Sequence, residues 1–279
     1  SKWSLNRFLK ELNKSEIDEN KLYVLYQSAN KTKINFKNKK KIITFVGKLN
    51  RSKGYDLFGN AVIKILKNYK DWSAYVIGDE PRDKLIYNHK RLFKLGFKEH
   101  NEVINIYKKT SIAVVCSRWD EPFGRTSLEA AANGCAVIIS NKGGLPETIT
   151  NGKILKNLTV REIYNNIKDL IINTKERNKY QRLSYKNFYL SHQYVSKKID
   201  EVRNNLLQIN KPNVLLENSK LRILHITNFN ERHNGRLFFN TGRRLNNGFV
   251  RLGHNVLTVS DRDILHNNKS INDLAGSKT

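Results

Sequence analysis

The sequence predicts an α/β fold: a doubly wound parallel sheet, followed by a partial second unit of the same kind. The runs KIITFVG, SAYVIG, SIAVVCS and CAVIIS are apolar along their whole length, as strands are when both faces of a parallel sheet are covered. Segments with helical spacing of apolar residues lie between them, and this alternation is the signature of strand-helix-strand units. Gly47, Gly78, Gly96, Ser117 and Ser140 fall at the C-terminal ends of the predicted strands, where sheets of this type bind their ligands.

Residues 1–20 open with Trp3, Leu5, Phe8, Leu9 and Leu12 at helical spacing and then turn polar, which predicts a helix and a connector. KLYVLYQS (21–28) is a predicted strand, and the dense lysines Lys37, Lys39, Lys40 and Lys41 read as a solvated linker. The strand KIITFVG leads through the polar loop KLNRSKG into the helix YDLFGNAVIKILKNYK, which is amphipathic through Leu57, Ala61, Ile65 and Leu66. After SAYVIG, the stretch RDKLIYNHKRL is a predicted helix, FKLGF holds a short strand and HNEVINIYKK is another helix. SIAVVCS, a loop and short helix, and CAVIIS complete the alternation. Beyond Gly143-Gly144 come a short strand ILKN, a helix from near Thr159 and a long polar helical region from Lys175 to about Asn210.

Pro212 and NVLLENSK read as a linker. LRILHITNF then starts a new strand, loop, helix (FFNTGRRLNNGFVRLG) and strand (NVLTVS). Roughly 60 residues are too few for a typical domain of about 100–200. The chain contains no Met, position 1 included, and is expected to be a piece of a longer product.

The 279 residues are 39% apolar, ample for a core, and carry a formal charge of +26. Such a charge favours anionic partners. It is spread over the whole chain together with abundant Asn and Ile, which fits a codon-usage origin as well as a phosphate-bearing substrate or an anionic membrane face. Aromatic residues are not interleaved with the basic runs in the manner of an RNA-binding motif, so a basic nucleic-acid-binding module is the minor alternative. No run approaches the roughly 20 apolar residues of a membrane span, and no signal segment opens the chain, so the expected compartment is the cytoplasm. Cys116 and Cys135 lie in or beside apolar strands, offer no metal-ligand spacing and read as buried thiols.

The chemistry concentrates in EPFGRTSLEAAANG, residues 121–134. Pro122 keeps Glu121 out of helical conformation. The run from Arg125 favours helix and stops at Asn133-Gly134, which puts Glu129 about one turn inside it. One carboxylate therefore sits in a loop and the other in the first turns of a helix, near unpaired N–H groups that attract anions.

Taken in order, VGKLNRSKG, VIGDEP, LGF, SRWDEPFGRTSLEAAANGCAVIIS and GGLPE resemble the nucleotide-sugar-binding half of retaining GT-B glycosyltransferases, the broad type 4 sugar-transferase family. The resemblance covers residues 41 to about 173, and it implies a Rossmann-like domain at 41–210. Residues 1–40 would be the end of an acceptor domain and the crossover, 211–220 a linker, and 221–279 the start of a second GT-B-like domain. The resemblance implies that Lys48 and Lys53 grip the diphosphate, that Glu121 holds or orients the donor sugar, and that Glu129 binds the ribose hydroxyls. Gly47, the amides around Phe123 and Gly124, and Arg125, Thr126 and Ser127 would complete the donor site, with Gly96 and Phe97 near the base. Many relatives have Arg where Lys48 stands here, and a lysine offers a point charge in place of a bidentate fork.

The implied activity is transfer of a sugar from a nucleoside-diphosphate sugar to a glycan or lipid-linked acceptor with retention. The implied setting is surface polysaccharide or glycoconjugate synthesis, without metal or other cofactor and without nucleic acid. Contact with the inner face of an anionic membrane is compatible with it. A sugar-nucleotide epimerase or a phosphorylase on the same fold is the alternative. Glu147 reads either as a site residue or as an acid at a following helix start, and Asp79 as a turn residue. Arg118 and Arg125 read as rim residues, His100 as a helix cap, and Gly143 and Gly144 as shaping a loop near the donor. Asp261-Arg262-Asp263 has the form of a metal-binding Asp-x-Asp, but a three-residue match at a strand end carries little weight.

Overall fold

The computed structural model describes residues 1–11, 22–83, 85–209, 220–227 and 241–260. Ser1–Ile209 form one compact unit and Asn210–Thr279 another.

The first unit is built on a six-stranded parallel sheet: β1 (Lys40–Val46), β2 (Ser73–Ile77), β3 (Leu92–Lys94), β4 (Thr110–Val115), β5 (Ala136–Ser140) and β6 (Lys153–Leu155), in the spatial order β3-β2-β1-β4-β5-β6. The chain winds outward from β1 in one direction and from β4 in the other, so the winding reverses between these neighbours. Their C-terminal ends flank the crevice in which a doubly wound sheet places its ligand.

Helices α2 (Tyr55–Asn68) and α5 (Val160–Ile172) share a core with Ile43, Phe45, Ile112, Val114 and Ile138. The opposite face packs Ala113, Val115, Val137 and Ile139 against α3 (His100–Lys109) and α4 (Arg125–Ala132). Successive residues of one strand thus enter opposite cores, which is why the strands are apolar throughout. Helix α1 (Lys2–Glu11) precedes the sheet, and α6 (Thr174–Lys186) and α7 (His192–Ile209) follow it.

The structure departs from sequence expectation in the segment between β2 and β3. No helix forms in residues 81–83 or 85–91. Side chains hold the segment against α2 instead. The Arg91 guanidinium donates to the carbonyls of Tyr69 at 2.7 Å and Trp72 at 2.8 Å, and also to that of Leu66. The Tyr87 hydroxyl donates to the Asp56 carbonyl at 3.1 Å, and a Cβ on Gly59 would lie 2.4 Å from the Tyr87 ring. These contacts, from Arg91 to carbonyls at and beyond the α2 C-terminus and from Tyr87 to its first turn, are tertiary, and local propensity does not report them.

Residues 22–28 also form no strand. Among the described residues before β1, Ala29 makes a parallel bridge, to Ser191, and its N–H donates to the Leu190 carbonyl at 3.0 Å. The lysine run is likewise not all solvated linker. Lys40 and Lys41 begin β1, and the Lys39 ammonium donates to the carbonyls of Tyr107 at 2.9 Å and Asn133 at 2.7 Å. Burial lowers its pKa, partly opposed by the nearby Cys135.

The second unit holds two parallel strands, β7 (Arg222–Thr227) and β8 (Asn255–Ser260), with α8 (Thr241–Arg251) between them in sequence. Among the described residues no helix is long and apolar enough to cross a membrane.

Candidate active site

Two loops build the site, one after β1 (residues 47–54) and one after β4 (residues 116–124). Backbone geometry explains their glycines. Gly54 has φ +74°, and a Cβ there would come 1.9 Å from the Cys116 carbonyl oxygen. Only a residue without a side chain lets the first loop lie against the second. The contact is sealed at Ser52, whose carbonyl accepts the N–H groups of Arg118 at 2.8 Å and Trp119 at 3.1 Å and the Ser117 hydroxyl at 3.2 Å.

On the far side the second loop rests on Gly143-Gly144. The Gly144 N–H donates to the Glu121 carbonyl at 2.6 Å, and a Cβ on Gly143 would lie 2.2 Å from that same oxygen. The Ser1 and Ser4 hydroxyls donate to the Pro122 carbonyl at 2.5 and 3.0 Å.

A cleft of about 320 Å³ lies between these loops, walled by Gly47, Lys53, Glu121, Phe123, Gly124, Arg125 and Thr126, with Gln27 and Val46 among the others. Inside it the Lys53 ammonium and the Glu121 carboxylate form an ion pair. Gly124, at φ +115°, caps the start of α4, so the first-turn N–H groups of that helix open beside the pair. A cation, a carboxylate and a helix N-terminus thus meet where β1 and β4 end. The arrangement can neutralise an anion and hold a hydroxyl side by side.

Several sequence candidates lie apart from this cleft. Lys48 is exposed at the start of the first loop and, among the described residues, forms no hydrogen bond or ion pair. Ser127 is buried, donates to the Gly124 carbonyl at 2.9 Å and shares a 2.7 Å hydrogen bond with Thr148, so it braces the turn into α4. Gly96 accepts the Gly78 N–H at 2.8 Å, and Phe97 beside it is 70% exposed.

Glu129 retains only 6% of its surface and forms a second charged cluster. Its Oε1 lies 3.1 Å from the Arg125 guanidinium and 3.7 Å from His100 Nδ1. His100 is therefore the first residue of α3 facing Glu129, while Glu99 holds the N-cap position.

Glu147 has a structural task that the sequence left open. Its carboxylate accepts the N–H groups of Lys2 and Trp3, both at 2.8 Å, and the Tyr26 hydroxyl at 2.9 Å. It thereby caps α1. Burial raises its pKa, but these hydrogen bonds outweigh it and the carboxyl lies below the usual range. Burial and the bond to Glu147 push Tyr26 up to about 12. Asp79 serves through its backbone, accepting the Leu49 N–H at 3.3 Å. Asp261 and Asp263 lie outside the described residues.

Two further features escaped sequence reasoning. Gln27 reaches the cleft from the segment before β1, and neighbouring Tyr26 packs on Phe123 with ring centroids 5.4 Å apart. Nothing in the spacing of residues 26 and 123 signals that contact. Arg118 is more than a rim residue, because its guanidinium forks onto the Asp56 carboxylate at 2.6 and 2.7 Å.

Parallel strands, a reversed winding point and a charged cleft there define a ligand-binding α/β domain. The family model for glycosyl transferases group 1 matches residues 27–187, more than half of the chain, and the chain belongs to that family. It is 33% identical over 127 residues to spore coat protein SA of Bacillus subtilis, covering 41% of this chain and 34% of that protein. It is 32% identical over 123 residues to the lipopolysaccharide core biosynthesis mannosyltransferase LpsB of Rhizobium meliloti, covering 40% and 35% respectively. The chain thus spans about a third of the length of these curated relatives. Among solved structures it superposes on Anabaena HepE in complex with UDP and glucose with a TM-score of 0.52 at 18% identity, over 60% of this chain and 49% of that one. HepE shares the GT-B fold to which the six-stranded parallel domain corresponds.

Proposed function

We propose that this chain carries the donor half of a retaining, type 4 glycosyltransferase that moves a sugar from a nucleoside-diphosphate sugar to a glycan or lipid-linked acceptor. The carrying observation is the Lys53–Glu121 pair at the reversal of the sheet, with the α4 N-terminus beside it. As the donor bond breaks, negative charge gathers on the leaving diphosphate, and oriented cations and N–H groups lower the energy of that state. Lys53 meets the phosphates together with the first-turn N–H groups of α4, and Lys48 reaches them from the exposed end of its loop. Glu121, released from Lys53, accepts a sugar hydroxyl near the anomeric carbon. Glu129, held by Arg125 and facing His100, accepts the ribose hydroxyls, with Gly96 and Phe97 beside the base.

In this scheme no side chain attacks the sugar. Glu121 is engaged with a sugar hydroxyl, and the leaving phosphate helps take the acceptor proton on the same face, so configuration is retained. The lysines and the helix N-terminus perform the charge neutralisation that a metal ion would otherwise supply. The HepE complex with UDP and glucose supports this class of donor, and the LpsB relative, a lipopolysaccharide core biosynthesis mannosyltransferase, supports a glycan or lipid-linked acceptor. A cytoplasmic location, at or near the inner face of the membrane, fits both the acceptor and the +26 charge. Residues 221–279 are read as the opening strand-helix-strand of a second GT-B-like domain.

Titration calorimetry with UDP, GDP, ADP and their sugars tests the reading. Binding of at least one nucleotide sugar is expected, and it is expected to weaken in Lys53→Ala and Glu129→Ala. Unchanged affinity in both variants would overturn it.

A further inference from the structure

The seam between the two site loops is locked by a pair of residues that stand outside the cleft. Arg118, just past β4, forks onto Asp56 in the first turn of α2, with Nη1 at 2.6 Å from Oδ1 and Nη2 at 2.7 Å from Oδ2. The same Nη1 donates to the Arg51 carbonyl at 2.6 Å, and the Arg118 backbone N–H donates to the Ser52 carbonyl at 2.8 Å. One residue therefore grips the Lys53-bearing loop at the two positions directly before Lys53 and also holds the helix that follows it. Arg118 itself lies three positions before Glu121, so the grip sets where Lys53 stands relative to Glu121.

The pair has the features of a defined joint. It is bidentate, it is partly sheltered (the side chains are 39% and 20% exposed), and it joins elements 62 residues apart. Burial raises the Asp56 pKa, but the Arg118 hydrogen bonds and charge reverse this, so its carboxyl lies below the usual range. A guanidinium is needed for the joint, because lysine cannot reach both carboxylate oxygens and the Arg51 carbonyl from one planar group.

From this geometry we infer that Arg118 and Asp56 are positioning residues for the donor site, fixing the spacing between the phosphate-facing Lys53 and the sugar-facing Glu121. The inference rests on the donor-site reading above. Neither residue touches the donor; both act through Lys53. An error of about an ångström in such spacing can cost up to about a hundredfold in a preorganised site.

A plain charge effect predicts something different, and the sign of one variant separates the two. Asp56→Asn removes a negative charge close to the phosphate loop. By electrostatics alone it would tighten phosphate binding, whereas a positioning role requires that it weaken binding. Arg118→Lys keeps the charge and loses the fork, so it is expected to behave like Arg118→Ala.

The experiment is calorimetry on the full chain with UDP-glucose, UDP and uridine monophosphate, alongside melting curves for Arg118→Ala, Arg118→Lys, Asp56→Asn and the Arg118→Ala/Asp56→Asn double variant. If the wild type prefers another nucleotide in the screen above, that nucleotide replaces the uridine series. Each variant is expected to weaken nucleoside-diphosphate-sugar binding about tenfold or more, with the double variant no worse than either single one, as for residues that act as a unit. Monophosphate affinity is expected to stay within about twofold, because that ligand depends less on Lys53 than on the Glu129 cluster. Tighter binding by Asp56→Asn, wild-type behaviour of Arg118→Lys, or parallel losses for all ligands that track the melting temperature would overturn the inference. If Lys53→Ala weakens binding and Arg118→Ala does not, the inference fails and the donor-site reading stands. A wild type that binds no nucleotide sugar overturns both.

Discussion

Lys53 and Glu121 sit 68 positions apart in sequence and form an ion pair across the seam between the β1 and β4 loops, their side chains 31% and 14% exposed. On the donor-site proposal, an entering donor would part them, the Lys53 ammonium turning to phosphate and the Glu121 carboxylate to a sugar hydroxyl. On that proposal the Glu121 carboxylate trades its cation for a neutral hydrogen-bond donor, and parting the pair in a sheltered cleft carries a cost that the donor's own contacts must offset.

This exchange predicts opposite outcomes for the two partners. Lys53→Ala is expected to weaken nucleoside-diphosphate binding by about 10- to 100-fold, the equivalent of the ~1.5–3 kcal/mol of a hydrogen bond to a charged group. Glu121→Gln removes the competitor for Lys53 and is expected to tighten binding of the bare nucleoside diphosphate while abolishing any added affinity from the sugar. Calorimetry with UDP and UDP-glucose on both variants checks the pair of signs.

The glycine at the loop contact is expected to be intolerant. Gly54→Ala forces a side chain to φ +74° and 1.9 Å from the Cys116 carbonyl oxygen. The cost should be about 2–4 kcal/mol, read as a fall of roughly 5–15 °C in the melting temperature of the first unit. Gly96→Ala meets nothing within 4 Å, although φ is +66°, so only the backbone term applies and a smaller fall is expected.

Lys39 is expected to behave as a core residue. Lys39→Ala would leave the Asn133 carbonyl, now bonded at 2.7 Å, without its donor, while the Tyr107 carbonyl keeps the Thr110 N–H and the Cys135 thiol at 3.4 Å. A loss of about 1–3 kcal/mol follows from one orphaned acceptor. Urea denaturation of this variant beside Lys37→Ala, which should be near neutral, checks the contrast.

Two partly buried carboxylates should contribute to acid sensitivity. Asp56 and Glu147 both ionise below their ordinary values in the folded chain: burial raises each, and hydrogen bonds from Arg118 to the first, and from Trp3, Lys2 and Tyr26 to the second, more than reverse it. A lowered native pKa contributes stability that is whole above the unfolded value, about pH 4, and is lost as pH falls through the native value. Asp56→Asn and Glu147→Gln are therefore expected to be less stable than the wild type at pH 7 and to show a flatter decline from pH 4 downward. A wild-type slope in both would refute the assignment.

Much of the molecule was legible in advance because it is written in local pattern. Helix α3 spans His100–Lys109 as its periodicity predicts, and the apolar runs at 41–47, 73–78, 111–117 and 135–140 all contain strands. The segment 82–92, expected as a helix, forms none among its described residues, and this was not legible in the sequence. Arg91 and Tyr87 hold it through carbonyls of α2, and the helical spacing of its apolar residues carries no trace of those partners.

The candidate site divides in the same way. Glu121 in a loop before α4 and Glu129 within α4 follow from Pro122 and from the helix formers after Gly124, choices made between neighbours in the chain. That Lys53 meets Glu121, that Arg118 clamps Asp56, that Glu147 caps α1 and that Gln27 walls the cleft are choices made between residues 62 or more positions apart. The sequence by itself determined most of the elements, the order in which they alternate and the strand ends where a site could lie, because propensity and periodicity act over a few residues. Only the tertiary structure decided which charges face one another, because a pairing across a sheet depends on the winding order β3-β2-β1-β4-β5-β6, which brings β1 and β4 side by side after two intervening strands.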